Sequence, residues 1–222
     1  VSPALRAPSG YDPVKGFEPV ILIGSVPSLL VVNPKLGVSS LKELIDKAKT
    51  QKMTYGSAGP GTTMNIAGEL LNAAAGTKIS HVPYRGAAPA ITDLLGGHVD
   101  MLNADMPVLL PLVKGNTVKA LALFGAERSP LLPDVPTTAE LGLPSVVMES
   151  WYGVFLPAGV PPAARGKLEK ALFAVLAVPS VKEKLAANGM HGTLGSEAFK
   201  ARLPKDFAYW QDTIKKLEIV AE

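Results

Sequence analysis

The sequence predicts an α/β fold with two lobes, a cleft between them and a hinge of two strands. Short apolar segments alternate with amphipathic segments along residues 33–145, a pattern typical of a sheet with helices on both faces. Two long apolar segments, 20–32 and 146–156, lead into this region and out of it. We therefore expect residues 33–145 to form one lobe, and residues 1–32 together with 146–222 to form the other.

The elements of the alternating region follow from local signals. Ser40 and Glu43 form a capping box, which predicts a helix that runs to about residue 50. A short strand at 53–56 is followed by a glycine-rich turn and by a helix that ends at Gly76. Further strands are predicted at 78–82, 99–103 and 118–124, and further helices at 88–95, from Pro107 to Gly115 and from Thr137 to Gly142.

The segment after residue 156 is mostly helical, with helices predicted at 161–178, 180–188 and 196–217 and a short strand near 190–193. The first of these helices carries an apolar stripe, which needs a sheet to cover it. The stripe consists of Leu168, Leu172, Val175 and Leu176. Too few strand residues remain in this lobe to form such a sheet. We therefore expect the first lobe to be incomplete, with its N-terminal part absent from this chain.

The composition excludes several classes of protein. The 22 Lys and Arg residues and the 19 Asp and Glu residues give a net charge of +3, and the basic residues are scattered, so nucleic-acid binding has little support. The chain has no cysteine, which excludes disulfides, thiolate metal sites and cysteine nucleophiles. His81, His98 and His191 lie far apart without carboxylates at ligand spacing, so no metal site is expected. No apolar run is long enough to span a membrane.

The stretch GSAGPGTT, residues 56–63, joins a predicted strand to a predicted helix N-terminus, an arrangement that suits an anion. Its glycine spacing is close to that of a phosphate-binding P-loop, but Thr62 stands where the essential lysine belongs. Pro60 also removes one backbone N–H from the loop. A nucleophile elbow is excluded because Tyr55 occupies a position that needs glycine. Neither a nucleotide site nor a serine hydrolase is therefore expected.

A carboxylate fits this loop better, because it needs hydrogen-bond donors but neither a metal nor a lysine. Hydroxyl groups and the backbone N–H groups at the start of the helix supply such donors, in line with the helix dipole. The residues assigned to a carboxylate site in this loop are Ser57, Ala58, Gly59, Gly61, Thr62 and Thr63. The alternative is that Thr62 only caps its own helix, and the spacing alone does not separate the two interpretations.

Two further loops also join a strand to a helix, and we expect them at the same edge of the sheet because the carboxyl ends of parallel strands converge. Tyr84 and Arg85 lie in the first of these loops. Arg85 either pairs with an anion or lies in solvent, as most loop arginines do. Ala104 and Asp105 lie in the second. The three loops together predict one wall of a ligand cleft.

Five longer motifs span almost the whole chain. They are YDPVKGFEPV at 11–20, YGSAGPGTTMNIAGELL at 55–71, HVPYRGAAPAITDLLGGHVDM at 81–101, RSPLLPDVPTTAELGLP at 128–144 and SWYGVFLPAGVPP at 150–162. In this order the motifs resemble those of the extracytoplasmic solute receptors of tripartite tricarboxylate transporters, called Bug receptors in some bacteria. The motifs are long and specific, which makes the resemblance a strong one.

The resemblance implies a two-lobed periplasmic-binding-protein-like fold with a cleft and two-strand hinge, which we expect near residues 26–32 and 149–154. It implies a periplasmic receptor that captures a small carboxylate and delivers it to a membrane permease of one large and one small subunit. It implies neither catalysis nor a cofactor. Members of this family hold the carboxylate with backbone amides and hydroxyls more than with an arginine.

The chain departs from the family in two places. Family members carry a further segment before the stretch that matches Val1, and that segment supplies the first-lobe half of the binding site. The third loop reads Asn103-Ala104-Asp105, whereas many members place an acidic residue directly after the final aromatic residue of the strand. The identity of the ligand is therefore not carried over from the family.

Two other functions are compatible with parts of the sequence. An effector-sensing domain of a transcription regulator can share such a fold, but it needs a helix-turn-helix, and these residues do not include one. An enzyme acting on a phosphorylated substrate needs a lysine in the loop at 56–63 and an acid–base constellation, and the sequence offers neither. The motifs favour the receptor.

Overall fold

The protein is described by a computed structural model that covers residue 4 and residues 11–219. Its chain divides into two compact units. One unit takes in the chain up to Val26 and Trp151–Lys216, and the other takes in Pro27–Ser150 and the residues after Lys216. The chain passes from one unit to the other three times, within strand β1 (Phe17–Val32), within strand β6 (Glu149–Pro157) and after Lys216.

The Pro27–Ser150 unit alternates strands and helices. Besides the second half of β1, its strands are β2 (Thr54–Ser57), β3 (Ser80–Pro83), β4 (Met101–Asp105) and β5 (Lys119–Leu123). Its helices are α1 (Leu41–Thr50), α2 (Thr63–Ala75), α3 (Ala87–Gly96) and α4 (Met106–Lys114), and a 3-10 turn lies at Pro34–Leu36. Local signals set the helix ends, since the Ser40 hydroxyl caps α1 and the left-handed Gly76 and Gly97 end α2 and α3.

The strands of this unit form a mixed sheet in the order β3-β2-β4-β1-β5. β2 is parallel to β3 and β4, whereas β1 is antiparallel to β4 and β5. On one face, Leu102 and Ala104 share a core cluster with Ala90 of α3. On the other face, Tyr55 lies so close to Gly68 of α2 that a Cβ there would come within 2.5 Å of the ring. Helices therefore cover both faces of the sheet.

The unit that contains Trp151–Lys216 is mainly helical. Beside β6 it has α5 (Pro162–Ala177), α6 (Pro179–Ala187), β7 (Leu194–Gly195) and α7 (Ser196–Lys216). Its core is a small cluster in which Leu22, Phe199 and Leu203 pack against Trp151 and Phe155. Within α5 and α6, both of which are described throughout, no side chain is fully buried. Of the apolar stripe predicted for α5, Leu168, Leu172 and Leu176 are half-buried and Val175 is exposed.

The mixed α/β fold and most predicted elements are confirmed, with two shifts and one error. The strand expected at 146–156 begins at Glu149, and the short strand expected near 190–193 lies at Leu194–Gly195. The helix predicted from Thr137 is wrong, because this segment forms turns. Thr137 and Glu140 do make both reciprocal capping hydrogen bonds, at 2.8 and 3.2 Å. The chain bends away at Gly142, so the capping box encloses a turn instead of starting a helix.

Candidate functional site

Three loops meet at one edge of the sheet in the Pro27–Ser150 unit. Because β2, β3 and β4 are parallel, the loops that lead from them into α2, α3 and α4 leave the sheet at the same edge, as the sequence predicts. The antiparallel β1 brings Ser28 to this edge, opposite Asp105. Three helix N-termini therefore lie along one edge, and their partial positive charges favour an anion there.

Glycine fixes the path of the loop between β2 and α2. Gly59 has a φ of +111° and Gly61 a φ of +71°, both in a region that residues with a Cβ rarely adopt. The N–H of Gly61 donates to Oδ1 of the buried Asn65 over 2.9 Å. Pro60, between the two glycines, has no N–H that would need a partner. The loop is therefore a tight turn that sets where α2 begins.

Thr62 is the N-cap of α2. Its Oγ1 accepts a hydrogen bond from the N–H of Asn65 at 3.3 Å and donates one to the carbonyl of Gly59 at 2.7 Å. The capping interpretation of Thr62 therefore holds in the structure. A hydroxyl has a single proton to donate, and this one already goes to Gly59. The Thr62 hydroxyl thus keeps acceptor capacity but has no donor left for a carboxylate.

Ser57, the last residue of β2, is fully buried. Its Oγ lies 2.6 Å from Nε2 of His81 and 3.2 Å from the carbonyl of Gly59, and it accepts a hydrogen bond from the N–H of Gly59 at 3.0 Å. These contacts occupy the hydroxyl within the loop. Ser57 therefore shapes the loop, and its hydroxyl is not available to a ligand in this arrangement.

The unused donors of this loop belong to the next two residues. Thr63 and Met64 take the first two helical positions of α2, where N–H groups have no intrahelical acceptor. The loop and cap hydrogen bonds found among residues 11–219 supply no acceptor for these two N–H groups or for the Thr63 hydroxyl. The first turn of α2 contains no acidic residue that would offset the helix dipole. The start of α2 therefore offers three donors to an anion.

Tyr84 and Arg85, in the loop after β3, differ in whether their side chains are free to bind an anion. The Tyr84 hydroxyl donates to Oδ2 of Asp93 in α3 at 2.7 Å. Desolvation, together with this carboxylate, raises the pKa of Tyr84 to about 12, so the phenol is neutral at ordinary pH. Arg85 is exposed and has no hydrogen bond or ion pair with the rest of the described chain. Arg85 is thus available to an anion, whereas the Tyr84 hydroxyl is already occupied.

The third loop contributes differently from the sequence prediction. The Ala104 side chain is buried in the core cluster, and its carbonyl accepts a hydrogen bond from Oγ of Ser28 at 3.3 Å. Asp105 does not cap α4 with its side chain; its Oδ1 accepts a hydrogen bond from Oγ of Ser150 at 2.7 Å. Asp105 therefore adds a negative charge to an edge that the helix ends make positive.

The side chain of Tyr55 stabilises the loop between β2 and α2. Its hydroxyl donates to Oε1 of Glu69 at 2.5 Å and accepts a hydrogen bond from Nδ2 of Asn65 at 2.8 Å. Its ring stacks on that of His81, with 5.0 Å between the ring centres. Burial, together with the neighbouring Glu69 carboxylate, raises the pKa of Tyr55, so the phenol stays neutral. Through Asn65 this network holds Gly61, and with it the start of α2.

Sequence reasoning does not find His81, Asn65, Ser28 or Ser150 as parts of this edge. A signal exists for Ser28 and His81, because each is a polar residue inside a predicted strand. Ser150 carries the same signal, because it lies inside the predicted strand at 146–156, whereas Asn65 lies in a predicted helix and carries none.

The described part of the chain shows neither a metal site nor a membrane-spanning helix. Across residue 4 and residues 11–219, no group of three His, Cys, Asp or Glu side chains is placed to hold a metal ion. No helix in the same stretch combines the length and the apolar character needed to cross a bilayer.

Known proteins resemble this chain in sequence and in fold. A protein of Pseudomonas sp. (strain P51), described as the UPF0065 protein in the tcbD-tcbE intergenic region, is 34% identical over 215 residues. The match covers 95% of this chain and 64% of the relative, so the chain spans less than two-thirds of that relative's length.

Two solved structures of Rhodopseudomonas palustris proteins have the same fold. Rpa4515 with adipate is 34% identical, with a TM-score of 0.87 over 95% of this chain and 72% of the other. MatC with bound malate is 28% identical, with a TM-score of 0.82 over 95% of this chain and 74% of the other. The family model described as tripartite tricarboxylate transporter family receptor matches residues 1–219. The resemblance seen in the motifs is thereby confirmed, and the chain belongs to the receptor family of the tripartite tricarboxylate transporters.

Proposed function

We propose that this chain binds a small carboxylate, as part of a periplasmic solute receptor that does not catalyse a reaction. The observation that carries the proposal is the set of unused donors at the start of α2. These are the N–H groups of Thr63 and Met64 and the Thr63 hydroxyl. They lie at an edge where three helix N-termini meet, and a carboxylate oxygen is an acceptor that such donors suit.

The charges at this edge favour a carboxylate over a phosphate. The loop at 56–63 contains no lysine, and Arg85 is an exposed cation in the next loop. Asp105 places a negative charge at the same edge. A site with such a small surplus of positive charge suits a ligand group with one negative charge better than a polyphosphate.

Two relatives support the ligand class. The structures of Rpa4515 and MatC contain adipate and malate, which are both dicarboxylates. We propose a ligand of the same class for this chain, held at the residues assigned from the sequence. These are Ser57, Ala58, Gly59, Gly61, Thr62, Thr63, Tyr84, Arg85, Ala104 and Asp105. Within this set Thr63 and Arg85 contact the ligand, whereas the hydroxyls of Ser57 and Thr62 hold the loop in shape.

Membership in the family supports the remaining parts of the proposal. The receptor delivers its carboxylate to the permease subunits of a tripartite tricarboxylate-type transporter. Residues 33–145 form the lobe that carries the donors described above, and residues 1–32 with 146–222 belong to the other lobe.

Isothermal titration calorimetry tests the proposed ligand class. The purified protein is titrated with adipate, malate and other mono-, di- and tricarboxylates, and 1,6-hexanediol serves as the uncharged counterpart of adipate. We expect at least one carboxylate to bind and the diol to give no heat of binding. Absence of binding across the whole carboxylate panel would contradict the proposal.

A further inference from the structure

Asn103, in the middle of β4, is a buried amide without partners. Its side chain is fully enclosed, and neither Oδ1 nor Nδ2 has a hydrogen-bond partner among the residues that the structure describes. Burying such a group without hydrogen bonds destabilises a fold. Asn33, a buried asparagine of the same unit, is paired, since its Nδ2 donates to the carbonyl of Leu94 and its Oδ1 accepts from the N–H of Lys35. Asn103 therefore calls for a physical explanation.

The register of the sheet shows which way Asn103 points. Leu102 and Ala104, on either side of it, both belong to the core cluster under α3, so Asn103 points to the opposite face. Met101, on the same face as Asn103, pairs with Tyr55, which packs against α2. The Asn103 side chain therefore points toward the layer that α2 occupies.

Asn103 also lies at the level where α2 begins. Ser57 and Asn103 are the residues that directly follow the Gly56–Leu102 pair on these two parallel strands, so both lie at the level of the sheet where β2 ends. α2 starts from the loop after Ser57 and runs back over the sheet, and Asn65 in its first turn already contacts Tyr55. The Asn103 amide consequently lies beneath the first turn of α2.

The residues next to Asn103 on the two adjacent strands offer its side-chain amide no hydrogen-bond partner. The Ser57 hydroxyl on one side is engaged with Gly59 and His81. On the other side Asn103 pairs with Leu30 of β1, whose side chain has no polar atom. A partner for the amide must therefore come from outside the described residues. The helix α2, which carries the unused donors in its first turn, packs over β4, and this points to the start of α2 as the place where such a partner binds.

We propose that Asn103 is a further binding residue for the solute, and that it selects carboxylates with a hydroxyl or amino group next to the carboxylate. This inference rests on the proposed function, because it places the carboxylate at the start of α2. Nδ2 then donates to a carboxylate oxygen, and Oδ1 accepts from the adjacent hydroxyl or ammonium group. A plain carboxylate would satisfy Nδ2 but leave Oδ1 buried without a donor, which is why the substituted acid binds better.

The full burial of Asn103 sets a condition for binding of the solute. Because the amide is fully covered, the solute reaches it only when the first turn of α2 moves away from the sheet. The loop that precedes this turn contains Gly59 and Gly61, whose backbones tolerate a wider range of conformations than other residues. Such a movement would break the hydrogen bonds that join Gly61 to Asn65 and Asn65 to Tyr55.

Calorimetry with matched pairs of acids tests the inference. Malate is compared with succinate, lactate with propionate and mandelate with phenylacetate, so that each pair differs by one hydroxyl group. We expect the wild-type protein to bind the hydroxy acid of at least one pair about tenfold more tightly. In Asn103→Leu this preference is lost, while the melting temperature is kept or raised because an unpaired amide has been removed. Asn33→Leu is the control, which lowers the melting temperature and keeps the preference.

The outcomes separate this inference from the proposed function. Binding of carboxylates without any preference for the hydroxy acid, or a preference that survives in Asn103→Leu, overturns the role of Asn103 and leaves the receptor function intact. Binding of no acid at all to the wild-type protein contradicts both. If Asn103→Leu does not fold, Asn103→Ala removes the same two polar groups without adding volume and gives the same comparison.

Discussion

At the residue scale, the three hydroxyl residues around the start of α2 have different tasks. Ser57 and Thr62 use their protons inside the loop, toward His81 or Gly59. Thr63 has no partner for its hydroxyl among the residues described. The sequence predicts a hydroxyl-rich loop at a helix N-terminus but treats the three residues alike, because the partner of a hydroxyl depends on how the loop closes.

Replacing Thr63 and Thr62 separately tests this division. Thr63→Val removes a donor to a charged group, so we expect the carboxylate affinity measured by calorimetry to fall about tenfold with little change in melting temperature. Thr62→Val removes the cap of α2, so we expect the free energy of unfolding to fall by about 1 kcal/mol. Thr62→Ser keeps the cap and is the matched control. Equal losses of affinity and stability in both valine variants would contradict the division of tasks.

The pKa of Tyr84 predicts a pH dependence of stability. The folded state raises this pKa from 10.0 to about 12, so it holds the proton more tightly than the unfolded chain. The resulting stabilisation is present below pH 10 and is lost as the pH rises from 10 to about 12. Tyr84→Phe lacks the hydrogen bond to Asp93, so urea unfolding at pH 9 should show a loss of about 1 kcal/mol. A difference between wild type and variant that does not shrink toward pH 12 would argue against this assignment.

At the scale of elements, the position of α2 on the sheet decides where its donors point. The helix sits close to β2 because Gly68 has no side chain and the ring of Tyr55 fills the space. The hydroxyl of Tyr55 then holds Asn65, whose Oδ1 holds Gly61 at the turn before α2. A shift of α2 away from β2 would therefore move the whole donor set.

Alanine at Gly68 tests the close contact between α2 and β2. Its Cβ would lie 2.5 Å from the Tyr55 ring, so we expect Gly68→Ala to lower the free energy of unfolding by about 1–3 kcal/mol and to weaken carboxylate binding. Gly166 in α5 is the matched control, because a Cβ there meets nothing within 4 Å. Gly166→Ala should raise the stability by about 0.5–1 kcal/mol. Chemical denaturation measures both, and a stabilised Gly68→Ala would contradict the packing described.

At the scale of the whole molecule, local signals account for what the sequence predicts correctly. Capping residues such as Ser40 and terminating glycines such as Gly76 act within one turn of the chain, and so the order of strands and helices is predictable. The same kind of signal fails at Thr137, where the capping bonds form around a turn. The support of the site by Asn65 depends on how α2 packs on β2, and the lack of partners at Asn103 depends on the register between β4 and its neighbours, neither of which a local pattern encodes.

A crystal structure of the protein grown with its tightest-binding carboxylate tests the central claim most directly. The claim is that the start of α2 holds the carboxylate of the solute. We expect one carboxylate oxygen at about 3 Å from the backbone nitrogen of Thr63 or Met64. A solute whose carboxylate lies elsewhere, with these two N–H groups bound only to water, would contradict it.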